Sequence, residues 1–133
     1  MTDALVYLDS SALLKLIFEE PESPALVTFL ADWPSRVSSA LARIEVTRIV
    51  ARVHDPAANR EAQRVLRGVH MIRLDDDVVL RASEIGPAGL RSLDAIHLAT
   101  AQMLGSGLAG IVAYDRRLAA AAEARGLTVW SPR

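Results

Sequence analysis

The sequence predicts an α/β fold: an α/β/α sandwich whose central parallel sheet has about four to five short strands flanked by helices. Three observations predict it. Short apolar runs alternate along the chain with longer segments of helical period. The runs are separated by helices, and parallel neighbours need such crossovers. Two of the runs end in an acid, Asp9 and Asp115, at the strand exits where open α/β sheets place their ligands.

Leu5–Leu8 reads as a buried strand, and Ser11–Glu20 as a helix stopped near Pro21. Glu22–Ala31 carries Leu26, Val27 and Leu30 at helical spacing and ends before Pro34. Arg36–Ser38 reads as a short strand. The spacing Leu41, Ile44, Val46, Ile49, Val50, Val53 fits a helix capped by Ser39 and ending near His54-Asp55-Pro56. Ala57–Arg67 reads as a further helix closed by Gly68. His70–Leu74 reads as a strand, and Asp75-Asp76-Asp77 opens a helix through Ile85, three acids suiting the positive end of a helix dipole. A calcium loop would need a Gly and spaced ligands that this string lacks. Gly86–Gly89 is a loop, and Ser92 is the expected cap of a helix reaching about Leu104. Gly105–Gly110 reads as a turn region, Ile111–Tyr114 as a strand, Arg116–Arg125 as a helix and Leu127–Trp130 as the last strand.

The chain's 133 residues suit one domain, expected to span 1–133. With 51% hydrophobic and 23% charged residues it reads as a folded globular chain rather than a disordered one. It has no cysteine, which excludes disulfides and thiolate metal sites and fits a reducing cytoplasm. Met1-Thr2-Asp3 lacks a basic leader, so no signal peptide is expected. No apolar run is long enough to cross a bilayer. The net charge of -1 does not mark a nucleic-acid binder. Yet Lys15 is the only lysine, and Arg43 to Arg73 holds seven arginines against Glu45, Asp55 and Glu61. Arginine pairs with phosphate in a planar fork; a solvated helix face explains the same run.

Two further acids sit in apolar helical contexts. Glu45 lies in LARIEVTRIV, one turn after Ser39, and Asp94 in RSLDAIHLATA, in the first turn after Ser92. Both can point at the edge that holds Asp9 and Asp115. Two carboxylates about 4 Å apart repel by roughly 4 kcal/mol at an effective dielectric near 20. Four such groups need compensation, and oxygen-only ligands favour Mg²⁺ or Mn²⁺ over zinc. Each acid also has a purely structural role open to it. Asp9 can end a strand in an Asx-turn, Glu45 can pair with Arg48 or Arg52, Asp94 can serve the helix dipole, and Asp115 can cap the next helix.

YLDSSALLKL, ARIEVTR, LRSLDAIHLATA and VAYDRRL, in this order, resemble the four motifs of the PIN domain, and specifically of the VapC toxin ribonucleases of bacterial toxin–antitoxin pairs. The resemblance covers essentially the whole chain. It implies a metal-dependent endoribonuclease in which Asp9, Glu45, Asp94 and Asp115 surround one or two Mg²⁺ or Mn²⁺ ions and Ser11 supports the first acid. It also implies a homodimer silenced by a VapB-type antitoxin, with RNA as substrate. The fourth motif often carries Thr or Ser two residues before its acid. Here that place is Ala113, so a hydroxyl that would orient Asp115 is missing.

Arg91, Arg116 and Arg117 flank two of these motifs and are expected on RNA phosphates, with Arg60, Arg64 and Arg67 extending that surface. His97, one turn after Asp94, reads as a packed, hydrogen-bonded histidine in preference to a substrate contact. Trp33 and Trp130 read as core or interface residues. Three alternatives stand beside the toxin: a PIN nuclease of RNA maturation or structured DNA, a PIN scaffold kept for binding, and a haloacid-dehalogenase-type phosphoryl transferase. The last needs an acid two residues after the first, where this chain has Ser11.

Overall fold

The computed structural model describes residues 3–133; Met1 and Thr2, on which the leader reading partly rests, lie outside them. Five strands form one sheet: β1 (Leu5–Leu8), β2 (Arg36–Ser39), β3 (His70–Ile72), β4 (Leu108–Val112) and β5 (Val129–Trp130). Their order is β3-β2-β1-β4-β5, and every pairing is parallel. The helices are α1 (Ser10–Ile17), α2 (Ser23–Leu30), α3 (Ala40–Ala51), α4 (Pro56–Arg67), α5 (Asp76–Glu84), α6 (Ser92–Met103) and α7 (Arg116–Ala124). Helical crossovers send the chain from β1 toward β2 and β3 and later back toward β4 and β5. The order therefore reverses between β1 and β4, which makes their carboxyl ends the switch point.

Side-chain alternation builds a core on each face of the sheet. Val6, Leu8 and Val112 pack with α1, α2, α3 and α4, joined by Phe29, Trp33 and Trp130. Tyr7, Val37, Ile111 and Ala113 pack with α6 and α7 on the other face. Val6, Tyr7 and Leu8 are all fully buried, which explains why β1 reads as a continuous apolar run. At Gly110 an added Cβ would lie 2.6 Å from the Trp130 ring and 2.7 Å from the Thr128 carbonyl oxygen, so only glycine lets β5 close on β4.

Several boundaries differ from the sequence reading, each for a local reason. α1 stops at Ile17 rather than Glu20, because Phe18 turns extended and the Ser23 hydroxyl donates to the Lys15 carbonyl at 2.6 Å. β4 begins at Leu108 inside the expected turn, since pairing with β1 from Leu5 onward draws those residues into the sheet. It ends at Val112, leaving Ala113 and Tyr114 to connect it to α7. In α3 the buried stripe is Ala42, Val46 and Val50, whereas Ile44 is 56% exposed and Val53, beyond the helix end at Ala51, is 51% exposed. Apolar identity alone misassigned that face. Ser39 caps α3 as expected, accepting from the Leu41 N–H at 3.1 Å. Ser92, by contrast, is the first helical residue of α6; Arg91 holds the cap position without a side-chain capping bond. Trp33 and Trp130 are not isolated aromatics: their ring centroids lie 5.1 Å apart, and Phe29 stands 5.2 Å from Trp130.

Candidate active site

Asp9 leaves the central strand β1 and enters α1. Its backbone N–H donates to the Val112 carbonyl of β4 at 3.2 Å, so the acid is fixed between the two strands of the switch point. Its side chain caps α1: Oδ1 accepts from the Ala12 N–H at 2.9 Å and from the Ser11 hydroxyl at 2.7 Å. Ser11 Oγ in turn accepts from the Tyr114 N–H at 3.1 Å, tying the first acid to the segment that carries the fourth. Asp9 is only 3% exposed. Burial pushes its carboxyl up to about 6, against the pull of the Ser11 and Ala12 donors, and the charges of Asp94 and Asp115 add to the rise.

Asp115 occupies the equivalent junction after β4. Its Oδ1 accepts from the Arg117 and Leu118 N–H groups at 2.9 and 3.0 Å, capping α7. Those two bonds orient the carboxylate without a hydroxyl at position 113, where Ala113 is fully buried in the core on the α6–α7 face. Oδ2 accepts from Arg91 Nη2 at 3.1 Å, while Arg91 Nε reaches Asp94 Oδ2 at 3.4 Å. Arg91 thus spans two acids 21 residues apart in sequence.

Asp94 stands in the first turn of α6 and is 8% exposed. Burial raises its carboxyl, Asp115's charge raises it further, and Arg91 opposes both. Glu45, on α3, is also raised, first by burial and then by Asp94's charge. Its Oε2 is buried with no hydrogen-bond partner, and among the described residues it forms no salt bridge with Arg48 or Arg52.

Asp9, Ser11, Glu45, Arg91, Asp94 and Asp115 border one cavity of about 200 Å³, together with Ser10, Leu93 and His97. All four predicted acids, Ser11 and Arg91 are therefore brought together. Arg116 and Arg117 do not border the cavity. Both lie exposed in the first turn of α7, although Arg117's charge lowers the Asp94 carboxyl. Arg60, Arg64 and Arg67 are exposed on α4 and border it nowhere; Arg64 pairs with Glu61. Sequence reasoning missed Ser10 and Tyr7. Ser10 adjoins Asp9, and its hydroxyl lies 3.1 Å from His97 Nε2; Tyr7 reads as a strand hydrophobe, yet its hydroxyl lies 2.7 Å from His97 Nδ1.

The donor set fits a hard dication. All four acids offer oxygen, three are raised by burial and mutual repulsion, and Glu45 Oε2 is a buried acceptor in want of a partner. Among the described residues no three acidic or histidine side chains close on a common point as they stand, and Arg91 supplies the positive charge between Asp94 and Asp115.

The PIN domain family profile matches residues 6–124. Ribonuclease VapC46 of Mycobacterium tuberculosis is 45% identical over 129 residues, covering 97% of this chain and 98% of that protein. Ribonuclease VapC47 of the same species is 39% identical over 132 residues, covering 96% and 97%. Among solved structures, a toxin–antitoxin complex from Klebsiella pneumoniae superposes with a TM-score of 0.71 at 22% identity, covering 96% of this chain and 98% of that one. The chain belongs to the PIN-domain family, within its VapC ribonuclease branch.

Proposed function

We propose that this chain is a VapC-like toxin: a Mg²⁺- or Mn²⁺-dependent endoribonuclease that hydrolyses RNA phosphodiester bonds and is silenced by a VapB-type antitoxin. The observation that carries the reading is the convergence of Asp9, Glu45, Asp94 and Asp115 on one cavity at the carboxyl edge of the sheet. The names of the two mycobacterial relatives support the ribonuclease activity, and the Klebsiella complex supports an antitoxin partner. Exposed apolar side chains such as Ile44, Val79 and Leu80 support association into a homodimer. Among the described residues no helix is long and apolar enough to cross a membrane, and the expected compartment is the cytoplasm.

Asp9, Glu45, Asp94 and Asp115 would hold the cation. When bound, Mg²⁺ or Mn²⁺ supplies Lewis acidity, lowering the pKa of water and neutralising charge on the leaving oxygen. The protein's own groups do the positioning. Ser11 and the Ala12 N–H hold Asp9 in one orientation, and the α7 cap holds Asp115. Arg91, which borders the cavity, would contact a phosphate seated there, and Arg116 and Arg117 stand exposed in the first turn of α7 after Asp115. Arginine's fork suits that contact. Catalytic roles fall to Asp9, Glu45, Asp94 and Asp115, with Ser11 as support.

The test is cleavage of total cellular RNA by the purified protein with Mn²⁺ and without antitoxin. The expected result is defined cuts that vanish with EDTA and in Asp94→Asn. Absence of cleavage in every RNA pool would overturn the enzyme reading and favour a binding scaffold.

A further inference from the structure

We infer that Tyr7, His97 and Ser10 form a one-way hydrogen-bonded relay that fixes the His97 tautomer and leaves the Ser10 hydroxyl proton free at the acid-lined cavity, which makes all three positioning residues of the candidate active site. The kinetic consequence of the relay rests on the ribonuclease reading; its hydrogen-bond pattern does not.

The three side chains are 0%, 1% and 6% exposed, in the order Tyr7, His97, Ser10. Both imidazole nitrogens are engaged: Nδ1 lies 2.7 Å from the Tyr7 hydroxyl and Nε2 lies 3.1 Å from Ser10 Oγ. Burial pushes the His97 pKa down to about 4, so the ring is neutral near neutral pH and carries one N–H. Two chains of donors are then possible, running in opposite directions.

Distance separates them. O–H donors sit about 2.7–2.8 Å from their acceptors, and N–H donors about 2.9–3.0 Å. The contact at Nδ1 has the length of an O–H donor, so the Tyr7 phenol donates there. The proton is consequently on Nε2, which donates to Ser10 Oγ at the longer, N–H-like distance. Ser38 and Thr100 stand near the phenol as rival acceptors. Each has spent its own proton on a backbone carbonyl, of Leu8 and Ile96 respectively, both at 2.6 Å. The reverse chain would give the phenol proton to one of these two and require an N–H donor at 2.7 Å.

With its oxygen accepting from Nε2, Ser10 has its own proton to give. Ser10 and Glu45 line the same cavity, so that proton stands at the acid-lined opening. The relay also ties α6 to β1 and α1, so Asp94, one turn before His97, is held in register with Asp9.

The experiment uses metal-free protein in which the exposed His54 and His70 are replaced by Gln, with ¹⁵N-labelled His. The expected spectrum shows a single His97 tautomer with Nε2 protonated and Nδ1 bare. Tyr7→Phe, which keeps the ring volume, is expected to give a tautomer mixture. Ser10→Ala, which removes the acceptor of the Nε2 proton, is expected to shift the Nε2 resonance, and Ser10→Thr to return it. In the cleavage assay Tyr7→Phe should lower kcat roughly fivefold, the worth of one hydrogen bond between neutral groups, with KM for RNA unchanged. A proton on Nδ1, an even mixture in the parent protein, or an Nε2 resonance unmoved in Ser10→Ala would overturn the relay. A parent protein that cuts no RNA but shows the expected spectra would overturn the ribonuclease reading and leave the relay standing.

Discussion

The β1–α1 and β3–α5 junctions are built alike, and only one belongs to the site. Asp9 has φ −78° and ψ 178°, Asp75 φ −91° and ψ 179°, and each accepts through Oδ1 from the backbone N–H three residues on, at 2.9 Å. Both are sound N-caps at the positive end of a helix. They differ in where the strand lies. β1 is the centre of the sheet, beside the reversal of strand order, whereas β3 is an edge. Asp9 is therefore buried among other acids, and Asp75 is exposed to solvent. Capping explains why an acid follows a strand; convergence with acids from other elements separates a site from a cap.

The sharpest way to break that comparison is Asp9→Asn. Asparagine is as good a cap, so α1 should start unchanged, and only the charge at the convergence point is lost. Cleavage is expected to fall roughly a hundredfold or more, measured as kcat/KM on RNA with Mn²⁺. Stability of the metal-free protein should move the opposite way. Asp9's carboxyl rises from 3.8 to about 6 on folding, so the folded state binds the proton more tightly. Stability then falls as pH rises through that window, by about 3 kcal/mol in total. Asp9→Asn should flatten that slope in urea titrations between pH 4 and pH 6. A variant that keeps both the slope and the activity would reduce Asp9 to a second Asp75.

Glu45→Gln is expected to have the next effect. Glu45 caps nothing, and its only claim on the site is convergence. A fall of roughly tenfold in kcat, within the range of a displaced general acid–base or ligand group, is expected with no change in α3 helicity. Arg91→Ala should act less and in a divided way. Arg91's side chain is 65% exposed, so the lost ion pairs should cost under about 1 kcal/mol of stability. Removing the charge between Asp94 and Asp115 should tighten Mn²⁺ binding several-fold by calorimetry while raising KM for RNA. A KM left unchanged would remove Arg91 from the phosphate contacts.

Much of this was legible from the residues. The strand at Leu5–Leu8, the Ser39 cap and the acids at two strand exits follow from local rules. Alternation of strands and helices predicts a parallel sheet but not its order; the pairing of β1 with β4, hence the meeting of Asp9 with Asp115, comes from the structure. Burial was less legible. Ile44 and Val46 are similar side chains on nearly opposite faces of one helix, and only the packing of α3 on the sheet decides which faces inward. The Arg91 bridge between Asp94 and Asp115 was not foreseen, because distance in sequence hides that α6 begins beside α7. The role of Tyr7 was invisible, since a phenol in an apolar strand looks like any other hydrophobe until His97 is seen against its hydroxyl.

The smallest expected effect is the one that makes the comparison a controlled one. Asp75→Ala removes the cap bond to the Val78 N–H and should lower stability by about 1 kcal/mol. Because β3 is an edge strand and Asp75 borders no part of the acidic cavity, cleavage should stay at the parent rate. Asp75→Asn should recover the lost stability, since the amide oxygen caps as well as a carboxylate. The pair read together separates the two properties that coincide in Asp9: a cap whose loss is felt only in the unfolding midpoint, and a convergent charge whose loss is felt in turnover. Lower turnover in Asp75→Ala at full folding would mean that α5 helps to shape the opening of the site, and the contrast between the two junctions would no longer hold.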